Sequence, residues 1–249
     1  MSGHNKWSTI KHKKAKEDSK RGAVFTKIIK ELTIAARLGG KDPESNPRLR
    51  LAIDRAKEAN MPKQNIEKAI LKGAGELSGV SYEEVLYEGY GPFGVAMVIK
   101  ATTDNRQRTT SSVRHILSKH GGSLGEVGCV SWMFDNIGFI SLKSDKSEEE
   151  MLEIALELGA KDVKYNSEDN VYEIITEPKD LMNIKTQLEN NGFNIETAEL
   201  TLLPQTTVKL DKEQAKSMIK LMDALEEDDD VSNVYANFDI PNEILEELE

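Results

Sequence analysis

GFISLK (Gly138–Lys143), SEEEMLEIALE (Ser147–Glu157), DVKY (Asp162–Tyr165), VYEIIT (Val171–Thr176) and FNIETAELTLL (Phe193–Leu203) follow one another with short polar breaks. The first, third, fourth and fifth read as strands, rich in β-branched and aromatic residues. Ser147 with Glu150 three residues on reads as a capping box. It opens a helix in which Met151, Leu152, Ala155 and Leu156 recur at helical spacing. A further helix is expected after Pro178. The order βαββαβ is ferredoxin-like.

The flanks of this run read as a second set that it interrupts. Val95, Met97, Ile99 and Ala101 alternate with Ala96, Val98, Lys100 and Thr102, as a largely buried strand does. Asp104 with Gln107 resembles a capping box, and Val113, Ile116 and Leu117 mark a helix ended by Gly121-Gly122. Val127–Phe134 reads as a strand enclosing Cys129. Beyond the insertion come a short strand at Thr206–Leu210 and a helix capped by Asp211 that carries Ala215, Met218, Ile219, Met222 and Leu225. A strand at Val231–Phe238 completes a second βαββαβ set. The predicted domains are 79–135 plus 205–240, an inserted 136–204, and an acidic tail 241–249.

Residues 1–78 read as a small helical domain. Val24, Phe25, Ile28, Ile29, Leu32, Ala35 and Ala36 form one side of a helix stopped by Gly39-Gly40, with Lys27, Lys30 and Arg37 opposite. Asn46-Pro47 reads as an N-cap with proline at the first position. Pro62 opens a further helix that Gly73 ends. The fold class is thus α+β and multidomain: a helical domain followed by two ferredoxin-like domains, one inserted in the other.

Charge divides the chain. Met1–Gly75 holds 18 Lys and Arg against 8 Asp and Glu, leaving 15 against 35 for the remainder of a chain of net charge −10. A basic module for a polyanion joined to an acidic body is the expectation. No stretch approaches the roughly 20 apolar residues of a membrane span. The N-terminus lacks a signal-peptide core, and Cys129 is the only cysteine. The expected location is therefore cytoplasmic, with no membrane partner.

The segment Lys6-Trp7-Ser8-Thr9-Ile10-Lys11-His12-Lys13-Lys14-Ala15-Lys16, followed by Lys20-Arg21, interleaves cations with one indole and one imidazole. Lysines neutralise phosphates and release counterions, and Trp7 suits stacking on a base; the bland reading is a solvated basic tail. Arg106, Arg108 and Arg114, with His115 and Lys119, form a second anion-site candidate, Arg106 and Arg108 lying at a helix N-terminus, the alternative being a solvated face paired with nearby acids. Gly89-Tyr90-Gly91-Pro92-Phe93-Gly94 matches G-x-G-x-x-G in letters, but a β-like run follows it, so it reads as a tight strand connection. None of His4, His12, His115 and His120 has a zinc-ligand partner at suitable spacing. Neither a nucleophile elbow nor a Walker lysine is present, and Glu226–Asp230 reads as a solvated loop. No cofactor, metal, small-molecule substrate or catalytic residue is expected.

These motifs resemble the YebC/PmpR family. The resemblance rests on Gly3-His4-Asn5-Lys6-Trp7, Ile10-Lys11-His12-Lys13-Lys14, Phe25-Thr26-Lys27, Ala35-Ala36-Arg37, Asn60-Met61-Pro62 and Tyr87-Glu88-Gly89-Tyr90-Gly91-Pro92. Thr103-Asp104-Asn105-Arg106-Gln107-Arg108-Thr109 and Trp132-Met133-Phe134 extend it. Asn5, Phe93 and Cys129 depart from the usual residues without removing a cation. The resemblance implies three domains and a non-enzymatic role, either as a DNA-binding regulator of transcription or as a ribosome- and rRNA-bound translation factor that relieves stalling. On either reading the acidic domains would meet ribosome or transcription machinery. Expected nucleic-acid contacts are Lys6, Trp7, Lys11, His12, Lys13, Lys14, Lys16, Lys20, Arg21, Lys27, Lys30, Arg37, Arg106, Arg108 and Arg114. A metal-dependent nuclease and a protein-only scaffold are the rival classes.

Overall fold

The structure, a computed structural model, describes residues 21–167, 170–241 and 244. Its contacts divide the chain into two compact units, one reaching Met133 and resuming at Thr206, the other Phe134–Gln205. Among the described residues seven α-helices, two four-stranded antiparallel sheets and one two-stranded parallel sheet make an α+β fold.

Three helices open the first unit: α1 (Arg21–Gly39), α2 (Pro47–Glu58) and α3 (Lys63–Gly73). Asn46 ties α1 to α2. Its side-chain oxygen accepts from the Leu49 N–H at 3.1 Å, and its amide donates to the carbonyls of Ala35 and Gly40, both at 2.8 Å. Proline at N1 needs no hydrogen-bond acceptor there, so the expected cap forms. The shared core of Leu32, Ala35, Ala36, Leu49, Ala52, Ala56, Met61, Ile66 and Ala69 is small-residue-rich, which lets the helices approach closely. At Gly73 an added Cβ would lie 2.2 Å from the Thr33 carbonyl oxygen. This glycine is therefore a packing contact as well as the end of α3.

The same unit contains a four-stranded sheet. Strand β1 (Glu83–Tyr90) turns through Pro92–Gly94 into β2 (Ala96–Thr103), pairing Tyr90 with Ala96, so the glycine-rich motif is a hairpin connection. Helix α4 (Arg106–Lys119) follows, and then β3 (Ser123–Leu124) pairs with Gly89–Tyr90. The cap of α4 is Asn105, whose side chain accepts from the Arg108 N–H at 3.1 Å, rather than the expected Asp104. The expected strand Val127–Phe134 does not form. Residues 125–133 make turns ending in a short 3-10 segment, Ser131–Met133, and Cys129 lies half-buried there instead of in a strand core.

After the inserted unit, β8 (Val208–Lys209), α7 (Lys212–Glu226), β9 (Val231–Ala236) and β10 (Phe238–Asp239) return to the first unit. Asp211 and Gln214 form a reciprocal capping box on α7. Strand β9 joins β2, giving the sheet order β3-β1-β2-β9, whereas β8 pairs only with β10. The outer sheet thus takes its fourth strand from Glu83–Tyr90 and not from Thr206–Leu210. On one face Met97, Ile99 and Ala101 pack with Val113 and Leu117 of α4 and Met218, Leu221, Met222 and Leu225 of α7.

The second unit is β4 (Phe134–Lys143), α5 (Glu148–Glu157), β5 (Asp162–Asn166), β6 (Val171–Thr176), α6 (Leu181–Asn190) and β7 (Asn194–Pro204). The sheet order β5-β6-β4-β7, antiparallel throughout, is the ferredoxin-like arrangement. The Ser147–Glu150 capping box forms as expected. Met151 and Ala155 are buried, while Leu152 and Leu156, expected inward, are exposed.

Candidate nucleic-acid interface

Lys6, Trp7, Lys11, His12, Lys13, Lys14, Lys16 and Lys20 lie outside the described residues, as does the side chain of Arg21. The other six expected contacts fall on α1 and α4, and four of them already hold acceptors within the protein.

Helix α1 places Lys27 and Lys30 one turn apart, facing the end of α7 and the start of β9. Lys27 Nζ donates to the Glu226 carbonyl at 2.5 Å. Lys30 is buried. Its Nζ reaches Asp230 Oδ1 and the Asp229 carbonyl, each at 2.7 Å, and sits 5.7 Å from the centre of the Tyr82 ring. Arg37 donates to Ser81 Oγ at 2.5 Å and to the Tyr82 carbonyl at 2.8 Å. The basic side of α1 is thus the side by which the helical region docks on the sheet, so Lys30 is withdrawn from any set of free phosphate ligands.

Asp230 is the hub of this junction. Besides Lys30, its carboxylate accepts from Arg108 Nη2 and Thr109 Oγ1, both at 2.7 Å, and from Thr103 Oγ1 at 3.3 Å. Burial works against its ionisation. Hydrogen bonds from Lys30, Arg108 and Thr109, with the Lys30 charge, outweigh that penalty and lower its pKa to about 2. Arg108 is correspondingly raised, through its bonds to Asp230 and to Asp104. The expected anion site at the start of α4 therefore has an internal occupant, the protein's own carboxylate. Glu226–Asp230 is not simply a solvated loop, because its last residue is buried. The only sequence signal for this role was an acidic run directly before a strand.

A second ionic node sequence reasoning missed lies nearby. Arg48 on α2 forks onto Glu31 (2.8 and 3.1 Å) and Glu84 (2.9 and 2.6 Å), and Lys100 reaches Glu84 at 3.2 Å. Burial opposes the Arg48 charge, yet the bonds to Glu84 and Glu31 hold its pKa above the ordinary arginine value. Bidentate pairing of this kind fixes orientation as well as charge. Arg106 and Arg114 of α4 stay exposed. On α3, Lys68 and Lys72 form an exposed pair one turn apart that the sequence reading passed over.

Among the described residues no group of three His, Cys, Asp or Glu is arranged to hold a metal ion. No described helix is long and apolar enough to cross a membrane.

Comparison with known proteins places these features in a family. Residues 5–76 match the TACO1/YebC protein N-terminal domain, and residues 82–238 match the TACO1/YebC second and third domain. A "Probable transcriptional regulatory protein" of Geobacter sulfurreducens is 58% identical over 248 residues, covering all of both chains. One of Persephonella marina is 57% identical over 250 residues with the same full coverage. The crystal structure of a conserved hypothetical protein from Aquifex aeolicus is 54% identical with a TM-score of 0.80, covering 90% of this chain and 92% of that one. The chain belongs to the TACO1/YebC family.

Proposed function

We propose that this protein is a non-enzymatic regulator of gene expression that grips nucleic acid through its N-terminal segment, with promoter DNA as the leading target. One observation carries the reading: Lys6, Lys11, Lys13, Lys14, Lys16, Lys20 and Arg21 crowd into 16 residues with only Glu17 and Asp18 to oppose them. Trp7 and His12 add stacking and hydrogen-bonding groups. The names of the full-length relatives support a regulatory role.

The cations of α1 contribute differently. Lys27, Lys30 and Arg37 bond to the sheet region and set where the N-terminal segment emerges. Arg106 and Arg114 serve as a subsidiary phosphate contact. At physiological salt the Debye length is about 8 Å, so phosphates at the N-terminal segment respond to nearby cations more than to the acidic body. Carboxylates elsewhere discourage nucleic acid from settling on the wrong surface.

The test is fluorescence anisotropy with duplex DNA across a salt series. If about six phosphates are neutralised, log affinity falls against log salt with a slope near about −5. Replacing Lys11, Lys13, Lys14 and Lys16 by glutamine should bring the slope to roughly −1 to −2. An unchanged slope would end the proposal. Crosslinking in cells followed by sequencing assigns the polymer, and rRNA enrichment without promoter enrichment would transfer the role to translation.

A further inference from the structure

Two cations on α3 have no duty inside the protein. Lys68 and Lys72 are exposed and make no ion pair or hydrogen bond with any described residue. Lys27, Lys30, Arg37 and Arg48 of α1 and α2, by contrast, all bond to acceptors. The acids nearest to the two lysines in sequence are already matched: Glu67 lies 3.7 Å from Lys63, and Glu76 bonds to Lys41. The positive charge of Lys68 and Lys72 is therefore left uncompensated.

At about 100° per residue, Gln64, Lys68 and Lys72 share roughly 80° of helix surface. All three are exposed. On the other side Ile66 and Ala69 enter the shared core, and Gly73 meets α1. Lys68 and Lys72 are about 6 Å apart along the axis, a spacing comparable to the step between successive phosphates of one strand. The stem of Lys72 runs beside the linker that follows α3. A Cβ built on Gly79 would meet its Cδ at 3.2 Å and its Cγ at 3.4 Å, so the methylenes are guided while the ammonium stays in water.

The row also has a direction. Thr33 Oγ1 donates to the Ala69 carbonyl at 3.3 Å, and the Ala36 Cβ stands 2.9 Å from where a Cβ on Gly73 would lie. Advancing along α1 thus advances along α3, and the two helices run the same way. The Gln64 end of the row lies toward the first turns of α1, to which the lysine-rich N-terminal segment is joined. We infer that Gln64, Lys68 and Lys72 form an ordered phosphate track that continues the N-terminal segment onto the folded helical region. The ammonium groups neutralise phosphates and the Gln64 amide donates to a phosphate oxygen, so the track holds the sugar–phosphate backbone without reading bases. This inference rests on the nucleic-acid reading above.

A lysine in the last turn of a helix also complements the helix dipole, so binding and stability are measured together. Anisotropy salt series are run on the full-length protein with a labelled DNA duplex and with single-stranded RNA. Lys68→Gln with Lys72→Gln should make the slope shallower by about 2 on duplex DNA or about 1.4 on RNA, and weaken binding about tenfold at low salt. The melting temperature should stay in place, and Lys68→Arg with Lys72→Arg should bind as the wild type does. A loss on one polymer alone supports the track and names its ligand. An unchanged slope on both polymers overturns the inference. So does a loss that arginine fails to rescue, or one explained by a lower melting temperature. The glutamine variant of Lys11, Lys13, Lys14 and Lys16 is run beside it. If that variant alone loses slope, only the track falls; if neither does, both readings fall; if only the α3 variant does, the track stands and the N-terminal reading falls.

Discussion

Asp230→Asn removes one charge from the hub while keeping its shape. The partner most affected is Lys30, because the two side chains are only 9% and 8% exposed. Removing one member of a buried pair costs about 3–5 kcal/mol, mostly from stranding the other charge. Lys30 keeps the Asp229 carbonyl and the Tyr82 ring, and Arg108 is exposed enough for water to replace its lost partner. The lower end of the range, about 3 kcal/mol, is therefore expected. The carboxyl itself gives a second route to the magnitude. A pKa lowered from 3.8 to about 2 means that the folded protein prefers the charged form by about 2 kcal/mol. For a unit of this size the melting temperature should fall by roughly 6–12 °C. Differential scanning calorimetry measures the shift, and hydrogen exchange locates it: amides of α1 and β9 should lose protection while those of residues 134–205 do not. A change below about 0.5 kcal/mol, or loss of protection confined to residues 134–205, would refute the view of Asp230 as the junction's central acceptor.

Two further outcomes follow from the same geometry. Because the folded Asp230 pKa lies below its unfolded value of 3.8, its contribution is complete above that value and disappears as pH falls toward about 2; acid titration of stability should show this window narrowed in Asp230→Asn. Gly73→Ala should destabilise the helical region by about 1–3 kcal/mol, since a Cβ there meets the Thr33 carbonyl oxygen at 2.2 Å and overpacking outweighs the gain in helix propensity; a neutral or stabilising result in urea unfolding would contradict the close approach of α1 and α3.

Features written in neighbouring residues were legible. Asn46-Pro47, Ser147 with Glu150, and Asp211 all cap helices where expected, because the donor and acceptor lie within one turn. The ferredoxin-like run was legible because its strands and helices are long enough to show their period. What escaped depends on distant partners. Val127–Phe134 has strand composition, yet Glu88, some 40 residues away, captures its backbone N–H groups first. Strand β3 is two residues long and exists only through its pairing with Gly89–Tyr90. At α4, Asn105 displaced Asp104 as the cap, and Asp104 instead bonds Arg108. Periodicity put Leu152 and Leu156 on the apolar side of α5 but carried no information on where its covered surface ends. Among the candidate site residues, Lys30 and Asp230 are 200 positions apart, so no local pattern could pair them.

Charge counted along a sequence therefore differs from charge available to a ligand. Lys27, Lys30, Arg37, Lys41, Arg48 and Arg50 all contribute to the positive sign of the first 75 residues, and all bond to acceptors inside the protein. Replacing one of them separates a structural cation from a phosphate ligand, because the two roles move different observables. Lys30→Met removes a buried charge and leaves Asp230 with Arg108 and Thr109. It should lower stability by about 2–3 kcal/mol while leaving the salt slope of DNA binding unchanged. In the double variant Lys30→Met, Asp230→Asn the loss should be smaller than the sum of the single losses, the signature of a direct pair. Lys13→Gln should do the reverse, leaving the melting temperature in place and reducing the slope by about 1. A Lys30→Met protein that melts normally but binds with a shallower slope would show that the ammonium leaves Asp230 for phosphate, and that the junction opens when nucleic acid arrives.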